Sequence, residues 1–407
     1  MKAAATLLLT LGLMPGVPAF AAEPDNLVLP PGFHASVIAE GLGAARHIAI
    51  RDNGDIYVST GRPRDGASPG IIALRLDRDH KVIATEHFST VAGGTGLRIY
   101  KNALYAASPT TVTRFAFQGP ALVPAAGEVM IDGMPATGFP SRGLAFDDKG
   151  GLYVTVGASS NICLDPAAPK DAKPVGLKPC PSLETRSGVW RFDAAKMNQK
   201  FPGDGEQIAT GLRDMMAVDW SPELKGFYGV MQARNDHIDT VAEELYRVDK
   251  GVNLGWPYSY YDNALNMRVT APEYGGDGKT AAEGNYDTPL AALPAHQSPL
   301  DLVFYEGKQF PRSYRGGAFI VYHGGAGAPA EQGHRGYDVV FLPFDRSGKP
   351  GQPQSFIEGF AGPSPGDRNP AKAAYRPTGA AVAPDGSLYV VEGERGRLWY
   401  ISYTGKN

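Results

Sequence analysis

Six times along the chain, a short run of small and apolar residues leads into a polar turn and then into an apolar run carrying aromatics. The copies are 41–60, 96–108, 141–157, 211–230, 298–322 and 376–393. The turns Asp52-Asn53-Gly54, Asp148-Lys149-Gly150 and Pro384-Asp385-Gly386 use residue types that accept positive φ, as tight hairpins require. Each copy is followed by a strand alternating apolar with basic or aromatic positions: 71–77, 111–117, 188–193, 244–249, 337–345 and 396–403. Alternation with period two marks half-buried strands. Six hairpins with outer strands predict an all-β fold, a six-bladed β-propeller whose early and late segments close the ring. The competing arrangement is a long β-sandwich or two all-β domains. The copies are unevenly spaced. The longest intervals, 157–187 and 255–297, are rich in Pro, Gly and Asp and are expected to be loop insertions on one face.

Composition supports strands over helices. The chain holds 51 Gly and 34 Pro among 407 residues, and helix interiors tolerate neither. A formal net charge of −3 gives no basic face for nucleic acid. At the N-terminus, Met1-Lys2, the apolar stretch 3–13 and Ala19-Phe20-Ala21 fit a secretory signal peptide. That predicts a leader over 1–21, a single propeller domain over 22–407, and a periplasmic or secreted location. No later stretch is long and apolar enough for a membrane span. The two cysteines, Cys163 and Cys180, are expected to pair in an oxidising compartment. Neither CxxC nor CxxCH occurs, so a redox pair of that type and a covalently attached c-type haem are not expected.

Several motifs fail. Tyr274–Thr280 ends like a phosphate loop, but Glu273 stands where a glycine is needed. Asp52–Asp55 is too short for a calcium loop and suits a turn. No HExxH, GxSxG or metal-spaced Cys/His set occurs. Four blade ends look like a site instead. Arg213 stands at one blade entrance, with the stretch 231–236 leaving the same blade. His296 and His323 stand at the entrance and exit of another blade, and Arg376 at the entrance of the last. Converging on one axial pocket, these cations favour an anionic ligand. Taken singly, each arginine could instead bridge blades and each histidine could be structural.

At these residues the chain resembles a family. LAFDDKGGLYVTVGASSNIC, ATGLRD, GVNLGWPYSYYD, PAHQSPLDLVFY, FPRSYRGGAFIVYHG and RPTGAAVAPDGSLYV are similar to the sorbosone dehydrogenase branch of the soluble, pyrroloquinoline quinone (PQQ)-dependent sugar dehydrogenases. The resemblance implies a six-bladed propeller holding PQQ and calcium over its axis. It also implies hydride transfer from a sugar or aldehyde, a histidine base, and a separate electron acceptor such as a c-type cytochrome or quinone. By position, Arg213, Asp214, Gln232 and Arg376 fall on cofactor-binding residues. The carbonyls of Ala233 and Arg234, with Glu244, fall on the calcium loop. Three departures stand out. Phe139 occupies the place of the base histidine, Asp214 replaces an asparagine, and HGGAGAP lacks the Trp, Asn and Arg expected after His323. Two readings follow: an oxidoreductase whose base has moved to His323 or His296, or a propeller without chemistry that binds a small anionic or sugar ligand or a protein. A hydrolase of the calcium-propeller type is a weaker third, for want of clustered acidic ligands.

Overall fold

A computed structural model of the chain describes residues 21–22, 26–61, 70–91, 96–168, 173–235, 239–325 and 334–405. The leader expected over 1–21 lies outside these, apart from Ala21. Most of the glycine-rich stretch after Gly325 lies outside them too.

Six sheets of four or five strands are arranged radially, with two further two-stranded pairs among the described residues. From the axis outward, the first blade uses Ala45–Ile50, Ile56–Thr60, Gly70–Leu76 and Val82–Ser89. The next four blades begin at Leu97, Leu144, Ala217 and Pro299. The sixth uses Pro377–Val382, Leu388–Glu392 and Leu398–Tyr403, then takes its outermost strand, Phe33–Ala39, from the start of the chain. That pairing closes the ring with backbone hydrogen bonds and leaves no open blade. All six predicted hairpins are the inner pairs of blades, so the sandwich alternative is excluded.

The glycines of the predicted turns carry the backbone angle they were expected to carry. Gly54, Gly150 and Gly386 have φ of 88°, 88° and 87°, which L side chains rarely adopt. Second strands such as Ile56–Thr60 and Ala318–Tyr322 are buried throughout. A neighbouring blade covers each of their faces, so these strands read as continuous apolar runs. Aromatic residues fill the widening wedge between blades. Between the fifth and sixth, Phe33, Phe310, Phe319, Phe356 and Trp399 pack into one cluster.

The two predicted insertions lie on one another. Tyr274 donates its hydroxyl to the carbonyls of Cys163 (3.0 Å) and Leu177 (3.1 Å). The Trp256 indole N–H donates to Asn161 O at 3.0 Å. The second insertion also contains a small hairpin, Ser259–Asp262 with Met267–Thr270. Cys163 and Cys180 form the expected disulfide. On the chain-entropy account, Cys163→Ser should cost about 2–4 kcal/mol of stability. Urea unfolding of oxidised wild type against the variant checks this, and an unchanged midpoint would show the bridge to be thermodynamically idle.

Candidate functional site at the propeller mouth

In an antiparallel blade, the start of the first strand lies beside the end of the second. Residues flanking those ends therefore gather on one rim of the axis. Gln232 N donates to Asp214 O at 2.8 Å. His323 N donates to Ser298 O at 3.0 Å, and Gly393 N to Arg376 O at 3.1 Å. Arg213, Asp214, Gln232, His296, His323 and Arg376 all stand at such ends.

Electrostatics join them into one constellation. The carboxylate of Asp214 feels the guanidinium groups of Arg213, Arg142 and Arg46. Burial nevertheless pushes Asp214 up to about 6, because desolvation penalises its charged form. Its Oδ1 is sealed from solvent with no hydrogen-bond partner among the described residues. Arg46 and Arg376 repel one another, and burial together with that repulsion lowers the Arg46 guanidinium. Arg376 is fastened to the carbonyls of His323 (3.2 Å) and Gly324 (2.6 Å) and faces Glu394 at 3.4 Å. Arg142, fully buried, donates to the carbonyls of Phe139, Ser141, Pro109 and Pro135. Arg213 donates from Nε to Asn161 Oδ1 at 2.8 Å, and its guanidinium lies over the Phe139 ring, 4.3 Å from the centroid. The Phe139 ring thus gives that cation a flat apolar support.

His323 sits between the cations. Burial and the charges of Arg376 and Arg46 hold its pKa well below the ordinary histidine value, so the ring is neutral at physiological pH. Its Nδ1 lies 3.1 Å from Pro377 O. A carbonyl can only accept, so Nδ1 carries the proton and Nε2 the lone pair. His296 is brought to the same rim with φ of +60°, beside Ser298 with φ of +57°. Gly325 lies so close to its carbonyl that an added Cβ would stand 2.3 Å from the oxygen. Deeper in the axis, His47 lies 2.9 Å from Leu300 O through Nε2 and is pushed down to about 4, chiefly by burial.

The loop that the resemblance assigns to calcium differs from that expectation at Glu244. Glu244 does not face it: its carboxylate is taken by Arg268, the Tyr246 hydroxyl and Tyr261 N. Its neighbour Glu243 does, accepting Ala233 N at 2.7 Å, Gln297 N at 2.9 Å and Ser298 N at 3.1 Å. Burial raises Glu243 to about 7 against these three donors. Arg234 pairs with Glu273 through both nitrogens, at 3.2 and 3.0 Å. Gln232 donates to Pro299 O at 3.0 Å. No group of three or more His, Cys, Asp or Glu side chains is arranged to hold a metal among the described residues. With its carboxylate engaged by Arg268 and Tyr246, Glu244 is not a donor beside the Ala233 and Arg234 carbonyls.

The sequence reading missed Arg46, Arg142, Asn161, Glu243 and His47. One signal was present: Arg46, Arg142, Arg213 and Arg376 all fall just before or within the first residues of an inner strand, at four of the six blades.

The profile of the TrAA12-like family matches residues 27–250 and 267–404. The chain belongs to the TrAA12-like family. Solved structures agree on the fold. The calcium structure of a Trichoderma reesei enzyme of carbohydrate-active family AA12 has TM-score 0.74 at 20% identity, over 93% of this chain and 97% of that one. The holo PQQ domain of pyranose dehydrogenase from Coprinopsis cinerea has TM-score 0.70 at 17% identity, over 95% and 98%. The PQQ-bound aldose sugar dehydrogenase of Streptomyces coelicolor has TM-score 0.56 at 17% identity, over 92% and 100%. A Borreliella burgdorferi protein of no stated activity is 23% identical over 201 residues. The chain spans about half the length of that curated relative, 49%. Among the described residues of this TrAA12-like chain, no helix is long and apolar enough to cross a membrane.

Proposed function

We propose that the propeller mouth binds PQQ and oxidises a sugar or aldehyde, passing the electrons to a separate acceptor such as a c-type cytochrome or quinone. The observation that carries this reading is His323, a neutral ring between Arg46 and Arg376 whose Nδ1–H is tied to Pro377 O. The charge of the mouth suits a polycarboxylate quinone. Arg46 has no hydrogen-bond or ion-pair partner among the described residues, and four guanidinium groups outnumber Asp214 and Glu394. Arg46, Arg213 and Arg376 would hold the carboxylates, Arg being suited to bidentate contacts. When bound, PQQ supplies an ortho-quinone that accepts a hydride. His323 Nε2 takes the proton of the substrate hydroxyl, and the Pro377 carbonyl holds the tautomer that can accept it. Phe139 keeps Arg213 flat and excludes water from its face. No step is assigned to calcium.

Phe139, standing where the resemblance expects a base histidine, favours a second reading, a propeller without chemistry that binds a small anionic or sugar ligand or a protein. Reconstitution with PQQ, with and without calcium, separates the two. Sugar- or aldehyde-dependent reduction of an artificial dye supports the oxidoreductase. Quinone binding without turnover over a broad panel of aldoses and aldehydes supports the second reading, and no quinone binding overturns the oxidoreductase. Where quinone binds, Arg46→Ala should weaken PQQ binding by about 1.5–3 kcal/mol, the range for hydrogen bonds to charged groups, measured by quenching of intrinsic fluorescence.

A further inference from the structure

The second insertion, with Lys178 of the first, lines an open groove of about 500 Å³. Tyr258, Tyr274 and Tyr286 line it, with Lys178, Asp277 and Glu283 among its polar groups. Its aromatic walls are built to stay in place. Tyr258 accepts Cys180 N at its hydroxyl (3.0 Å), and Tyr274 donates to the carbonyls of Cys163 and Leu177. Both rings are therefore anchored to the disulfide-closed loop and packed edge to face, 4.9 Å apart. Asp277 takes three donors from Lys279 and Thr280 and is held down to about 2, so it stays charged at any working pH. The loop that forms one wall also supplies Asn161 to Arg213 at the mouth.

We propose that this groove binds a short neutral oligosaccharide, holding the sugar residues beyond the one that reacts at the mouth. The inference rests on the oxidoreductase reading for its purpose, though its binding chemistry stands alone. Sugars present apolar C–H faces that pack on aromatic rings, and hydroxyls that donate to carboxylates. A groove with two pinned tyrosines, a fixed Asp277 and an exposed Glu283 offers both, with less side-chain ordering on binding than a groove of free side chains. The volume falls in the ordinary range for small-ligand sites.

Saturation-transfer NMR with cellotriose, xylotriose and maltotriose tests it on the full chain without added quinone. At least one trisaccharide should bind. Tyr286→Ala and Glu283→Gln, both on the rim, should each weaken that binding at least about fivefold. PQQ titration of the same three proteins should give equal affinities. No binding by any trisaccharide, or unchanged binding in both variants, overturns the groove assignment and leaves the mouth reading intact. Trisaccharide binding lost in the variants while wild type fails to take up PQQ supports the groove and overturns the mouth reading.

Discussion

His323→Ala is expected to lower turnover of the PQQ-loaded protein at least ~100-fold, the low end for general-base catalysis, with PQQ affinity close to wild type. His323 is the neutral histidine at the rim whose proton position is dictated by a neighbour. Its Nδ1–H is held by Pro377 O, and burial beside Arg376 and Arg46 keeps it unprotonated. His323→Gln keeps a side chain of similar reach that can donate to Pro377 O but cannot accept a proton from an alcohol near neutral pH. It should be as slow as alanine. His296→Ala serves as the comparison. If it costs as much and His323→Ala costs little, the base is His296. If neither matters in an active wild type, both assignments fail. Phe139→His should add little turnover, because the ring at this position is covered by the Arg213 guanidinium and not open to a substrate hydroxyl. A gain in turnover with that variant would show Phe139 to be a lost base.

Glu243→Ala is expected to destabilise the propeller by about 3–9 kcal/mol, because it orphans three backbone donors at about 1–3 each. Those donors belong to Ala233, Gln297 and Ser298, so the loss should fall on the two loops that carry Gln232 and His296. Thermal unfolding measures the total, and amide exchange at those three residues locates it. The pH dependence has a definite sign. The folded carboxyl of Glu243 stands near 7, above its ordinary 4.5, and those of Asp214 and Asp219 near 6, above 3.8, each raised mainly by burial. A folded pKa above the unfolded one contributes stability that is complete below the unfolded value and lost as pH rises through the folded one. The melting temperature should therefore fall between about pH 4 and pH 8, and Glu243→Gln should flatten the upper part of that fall. A melting temperature that rises across this interval would contradict the burial account.

Blade number, hairpin positions, ring closure and the disulfide were legible in the chain itself because each rests on local chemistry. A turn such as Asp52-Asn53-Gly54 needs positive φ at its glycine whatever surrounds it, and six such hairpins leave few architectures able to bury their faces. Arg213, His323 and Arg376 were also found that way, since strand ends in a propeller gather at one rim. What only the tertiary structure decided was which groups meet there and in what state. Arg46 lies far in sequence from Asp214 and Arg376, yet shares their field across the ring. The tautomer of His323 depends on a carbonyl 54 residues away. Glu243 and Glu244 differ by one step in a strand, and in a strand one step is the opposite face. One therefore ties the rim loops together while the other pairs with Arg268 on the far side. Chemistry at the rim is set by burial and by distances between blades, and a linear pattern carries neither.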